Sequence, residues 1–111
     1  MKSMYKTLPL FLLLTGALLV SPSCNKHEEV KQPVACFNAS ATTATAGTSI
    51  VFTSCAMEAH HSEWDFGDGA SSTEESPTHA FNNPGSYVVK QVVLSEDMSK
   101  MDEATKTITV N

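Results

Sequence analysis

Trp64-Asp65-Phe66-Gly67-Asp68-Gly69 is the stretch whose reading decides the fold. Read as a strand running into a tight turn, it puts Trp64 and Phe66 on one face and Asp65 on the other, because side chains alternate along a strand. Two large aromatics then point into one core. Gly67 and Gly69 accept positive φ at little steric cost, and Asp68 between them can take hydrogen bonds from the turn's own amides. The strand must end there.

Downstream stand Pro77-Thr78-His79-Ala80-Phe81 and Pro84-Gly85-Ser86-Tyr87-Val88-Val89. With the hexapeptide, these segments resemble the PKD domain, a small immunoglobulin-like β-sandwich module, over about residues 34 to 110. The resemblance implies a structural motif made of Trp64, Asp65, Phe66, Gly67, Asp68, Gly69, His79, Phe81, Gly85 and Tyr87. Within it His79 is expected to pack beneath the aspartate-rich turn, with Asp65 or a backbone carbonyl as its partner. Modules of this family serve as spacers, adhesion units or accessory binders beside the catalytic domains of proteases and chitinases. Fold alone does not choose among these roles.

The periodicity independently predicts an all-β sandwich of about seven short strands, with no helix longer than a turn after the N-terminal segment. Phe37 and Ala39 alternate with Cys36 and Asn38, and Ile50 and Phe52 alternate with Val51 and Thr53, around a small-residue turn at Thr42–Thr48. A hairpin centred between Thr45 and Ala46 sets Cys36 opposite Cys55 and Ala39 opposite Phe52, close enough for a Cys36–Cys55 disulfide. Free thiols and metal ligation are the alternatives for this pair. Ala56 to His61 reads as loop, His61 to Phe66 as the Trp strand, Ala70 to Ser76 as a short edge segment and Thr78 to Phe81 as a brief strand. Ser86 to Leu94 is a long strand with Tyr87, Val89, Gln91 and Val93 on one face. A glutamine in that row calls for a satisfied amide toward the edge of the core, or for a bulge after Val89. Ser95 to Glu103 reads as a polar loop and Ala104 to Val110 as the last strand.

The first 23 residues carry a positive start at Lys2 and Lys6, an apolar run from Leu8 to Val20, and Ser21-Pro22-Ser23 before Cys24. That is the pattern of a secretory signal, with a run shorter than the roughly 20 residues of a membrane-spanning helix. Cys24 after a small residue resembles the lipobox of bacterial lipoproteins, which implies that residue 24 is acylated and becomes the mature N-terminus. The alternative is an ordinary signal peptide with a stray thiol. Lipidation leaves Cys36 and Cys55 as an even pair. Residues 24–33 read as a flexible tether, and 34–111 as the domain. Lys26-His27-Glu28-Glu29 resembles export signals that place lipoproteins on the outer face of the outer membrane; an ordinary solvated linker is the other reading.

From Cys24 onward the chain holds five Lys, no Arg and twelve Asp or Glu, a formal charge of −7. That sign disfavours nucleic acid as a partner, since such binding rests largely on Lys and Arg neutralising phosphates, and none is expected. Membrane attachment is then expected through lipid on Cys24. The acids near the hexapeptide, Glu63, Asp65, Asp68 and Glu74, read as turn caps rather than as a glycosidase pair, which needs one carboxyl kept neutral by burial. Weak calcium binding is the alternative, but calcium needs six to eight converging oxygens. His60 and His61 are adjacent, so a strand points them apart and a shared zinc is not expected. No catalytic residue, metal or other cofactor is expected. The predicted function is a non-catalytic, lipid-anchored outer-membrane module contacting an extracellular protein or glycan, with an accessory role in extracellular polysaccharide or protein degradation as the alternative.

Overall fold

The computed structural model describes residues 29–111. The expected leader, Cys24 and the first residues of the tether lie outside them. The described residues form eight strands, β1 (Phe37–Ala39), β2 (Thr43–Ala44), β3 (Ser49–Ser54), β4 (His61–Asp65), β5 (Ser71–Ser72), β6 (Thr78–Ala80), β7 (Gly85–Leu94) and β8 (Met101–Val110). One sheet has the order β1-β3-β6 and the other β2-β8-β7-β4-β5. The core between them takes Phe37, Ile50 and Phe52 from the first sheet and Trp64, Val89, Ile108 and Val110 from the second, with Phe66 and Phe81 just beyond strand ends. Each such side chain taken out of water contributes roughly 1.5–3 kcal/mol, so these positions hold the two sheets together.

β1 and β3 pair antiparallel with Ala39 opposite Phe52 and Phe37 opposite Ser54, the register expected from the alternation. One step further, the Cys55 amide donates to the Cys36 carbonyl, and the two cysteines are joined in a disulfide. The link between these strands is not the simple turn expected at Thr42–Thr48. Thr43–Ala44 crosses to the second sheet as β2 and runs parallel to Thr109–Val110. The Thr109 amide donates to the Thr42 carbonyl and the Asn111 amide to the Ala44 carbonyl. The crossing pairs the C-terminal end of β8's outer edge, where the Thr109 and Asn111 amides would otherwise face solvent unpaired. Ala44 and Ala46 are small enough to lie against the core as the chain passes.

β7 and β8 pair without a break from Gly85↔Val110 to Leu94↔Met101, so no bulge follows Val89. Gln91 stays on the inward row and is fully buried. Its Oε1 accepts from the Cys36 amide at 3.0 Å and its Nε2 donates to Ser54 Oγ at 2.9 Å. Both ends of the amide are satisfied, as burial requires. β8 also begins three residues before the expected Ala104. Asp97 accepts from the amide and hydroxyl of Ser99 and from the Ser95 hydroxyl, which closes the loop in a few residues. Met101, Asp102 and Glu103 are then free to pair with Leu94, Val93 and Val92.

The expected tether also ends earlier than Pro33. Val30 accepts from Lys100 Nζ at 2.8 Å, Gln32 Nε2 donates to the Met101 carbonyl, and the Ala35 amide donates to Asp102 Oδ2. Pro33 is fully buried, and Val34 bridges Met57. A polar composition suggested a free segment, but its partners, Lys100 and the start of β8, lie about seventy residues away in sequence. The last strand ends at the other pole, where the Ala46 amide donates to the Asn111 carbonyl.

Candidate functional site

The hexapeptide turn is built from the core outward. Trp64 is buried, with its ring edge-on to Phe37 at 5.0 Å and its Nε1–H donated to the Glu74 carbonyl at 2.8 Å. Glu74 therefore serves through its backbone. Phe66 lies on the same face and stacks on the His79 imidazole, with centroids 4.1 Å apart and planes 7° from parallel. His79 is edge-on to Phe81, and Phe81 stacks on Tyr87. The Tyr87 hydroxyl donates to the Asn83 carbonyl at 2.7 Å, tying the start of β7 to the preceding turn in the manner of a tyrosine corner. Gly85 opens that strand against the same ring.

After Phe66 the turn closes by side-chain capping. Asp65 Oδ1 accepts from the Gly67 amide at 2.9 Å, and Asp68 Oδ1 from the Ala70 amide at 3.0 Å. Gly67 has φ +82°, and a β-carbon there would stand 2.7 Å from the Val88 carbonyl oxygen. Only glycine combines that backbone with that approach. Gly69 also has positive φ but faces open space, so of the two glycines Gly67 carries the tighter constraint.

His79 Nε2 donates to Asp68 Oδ2 at 2.7 Å, so the partner is Asp68 and not Asp65. Asp65 points to the outer face of the sheet with its carboxylate on Gly67, whereas Asp68 sits above the imidazole that Phe66 supports. Partial burial pushes the Asp68 carboxyl up. The His79 hydrogen bond, the Ala70 amide and the attraction of the imidazole outweigh it and hold the group below the usual carboxylate value. Asp68 is thus an ionised clamp, linking the turn to β6.

Two further regions are open to a partner. The outer face of the larger sheet shows Val88, Lys90, Val92 and Leu94 from β7 beside Glu63 and Asp65 from β4 and Glu103 from β8. The second region is a cleft beside β4, where His60, His61, Glu63 and Glu75 come together. Among the described residues, no group of three or more His, Cys, Asp or Glu is arranged to hold a metal ion. The sequence showed His60 and His61 only as adjacent residues that a strand would point apart, and it gave no sign of Glu75 or the cleft, because β5 leaves β4 after two residues and nothing in Thr73-Glu74-Glu75 marks that departure.

The sequence pattern that defines the PKD domain matches residues 30–110. The chain belongs to the PKD domain family. The match starts at Val30, where the described chain begins to dock. The PKD1 domain of Vibrio anguillarum Epp superposes with a TM-score of 0.64 at 28% identity, covering 75% of this chain and 98% of that one. A structure of carbohydrate-binding modules from the β-sandwich superfamily superposes with a TM-score of 0.70 at 28% identity, over 76% of this chain and 36% of that one. Among curated proteins, collagenase ColQ1 of Bacillus cereus (strain Q1) is 45% identical over 47 residues, which is 42% of this chain. The PKD chain spans only 5% of that collagenase's length.

Proposed function

We propose that this PKD domain is the displayed part of a non-catalytic, membrane-anchored extracytoplasmic lipoprotein that contacts another extracellular protein. One observation carries the choice of partner. The aromatic residues of the described chain are Phe37, Phe52, Trp64, Phe66 and Phe81, all buried, and Tyr87, half-buried against Phe81. Sugar recognition commonly uses the face of an exposed ring, and here the rings are spent between the sheets. The outer face offers aliphatic and charged side chains, which suit a protein surface better than a glycan.

The carboxylates nearest the hexapeptide support a non-catalytic role. Asp65 and Asp68 each cap a turn, and Asp68 is held ionised by His79, which leaves it no proton to donate as an acid. The match to a collagenase segment favours a second reading, in which the module assists an extracellular degradative system.

The anchor rests on the sequence, with Cys24 as the acylated mature N-terminus, an outer-membrane address, and Lys26-His27-Glu28-Glu29 as the signal for surface exposure. Mass spectrometry of membrane-extracted protein is expected to find the chain starting at Cys24 with acyl mass added. Cys24→Ala is expected to release the protein or stall its processing. A soluble product cleaved elsewhere contradicts the anchor.

A further inference from the structure

β4 is paired on its β5 side only at Trp64↔Ser72 and Asp65↔Ser71. Past Ser72 the chain leaves for the other sheet. Ser76 Oγ accepts from the Ser54 amide, the Pro77 carbonyl accepts from the Phe52 amide, and Pro77 is buried. His61, Ser62 and Glu63 therefore face Leu94, Val93 and Val92 on one side and no strand on the other. The Phe66 amide donates to the Ala70 carbonyl on the β5 side. Backbone groups alternate in direction along a strand, so those of Trp64 and Ser62 point the same way, and those of Ser62 point into the gap.

The gap is a cleft of about 440 Å³. Ser54 and Ser62 lie on its inner side, His61 and Glu63 on the β4 wall, and Thr73 and Glu75 on the facing wall. Each wall carries one carboxylate and neither carries a Lys. Glu63 and Glu75 make no ion pair among the described residues. An exposed strand edge is a template for another strand, and proteins recognise extended peptides by adding one there.

The geometry points to this cleft as the site where an extended, cationic peptide segment of a partner protein adds to the free edge of β4. The inference rests on the reading of the chain as a displayed protein-contacting module and assigns that contact a place and a chemistry. Main-chain hydrogen bonds to Ser62 align the segment. A side chain turned inward meets the small hydroxyls of Ser54 and Ser62, while the next, turned outward, brings a Lys or Arg between Glu63 and Glu75.

The test is fluorescence anisotropy with the full chain purified in neutral detergent. The probe is a labelled peptide of alternating Lys and Thr, about six residues long, the usual length of a strand. The peptide is expected to bind, and Glu63→Gln with Glu75→Gln is expected to weaken binding about tenfold or more, as loss of close charge pairs does. Methylating alternate backbone amides of the peptide is expected to abolish binding, and replacing its Lys by Glu is expected to do the same. Glu103→Gln, an acid outside the cleft, is expected to leave affinity unchanged. Failure of the Lys–Thr peptide to bind, equal affinity for the methylated peptide, or equal loss in Glu103→Gln overturns the proposal. Acylation of Cys24 is read separately by mass, so failure of the anchor and failure of the cleft are distinguishable.

Discussion

Trp64→Ala is expected to lower the unfolding free energy by about 3–5 kcal/mol, the usual cost of removing a buried Trp or Phe side chain. A domain of this size holds roughly 5–15 kcal/mol in all, so the variant is expected to be partly or wholly unfolded at ambient temperature. The cost has several sources. The indole fills the space between Phe37, Phe52 and Phe66, and closing that space would draw the two sheets out of register. Its Nε1–H also holds the Glu74 carbonyl, which fixes the segment after β5 as it turns toward the other sheet. Trp64→Phe is expected to recover most of the packing and lose that hydrogen bond, a cost nearer 1 kcal/mol. Thermal melts followed by circular dichroism separate the two. Equal midpoints for wild type and Trp64→Ala would mean that the side chain is not part of the core.

Cys36→Ser with Cys55→Ser is expected to keep the fold and lose about 3 kcal/mol. The bridge closes a loop with a sequence separation of 19, and limiting the unfolded chain over such a loop is worth about that much in the chain-entropy picture. Each kcal/mol is expected to lower the melting midpoint by about 4–8 °C in so small a domain. The fold persists because the neighbouring contacts do not pass through sulfur: the Cys55 amide still reaches the Cys36 carbonyl, and the Cys36 amide still reaches Gln91. Cys55 is exposed, so mild reductant is expected to reproduce the shift in the wild type. If both thiols of the native protein alkylate without prior reduction, the pairing of β1 with β3 is wrong at that end.

Local pattern made the hexapeptide, the register of β1 on β3 and the long β7 legible in the sequence, because alternation of large apolar residues says which face is buried. It failed where the deciding partner is remote or the residues are small. Thr42–Thr48 holds no bulky side chain to reveal a periodicity, and the unpaired edge of β8, more than sixty residues away, draws Thr43–Ala44 across. Met101–Glu103 read as loop because the segment lacks an alternating apolar row, whereas there the pairing is set by a loop that Asp97 closes. Val30–Pro33 look like free tether until Lys100 and Met101 are placed beside them. The Asp68–His79 pair was half legible, since the resemblance put His79 under the turn, but which aspartate reaches it depends on how Gly67 bends the chain back over Val88. The free edge of β4 was invisible, because a missing partner leaves no mark in the strand that lacks one.

That the signature aromatics build the core and form no sugar platform is tested most directly by the fluorescence of Trp64, the one tryptophan in the chain. In the folded protein, acrylamide is expected to quench it far less than after unfolding in urea, and soluble oligosaccharides are expected to leave its emission unchanged. Quenching as strong in the native protein as in urea, or an emission that shifts as sugar is added, would place Trp64 at a binding surface and contradict the structural reading of the whole motif.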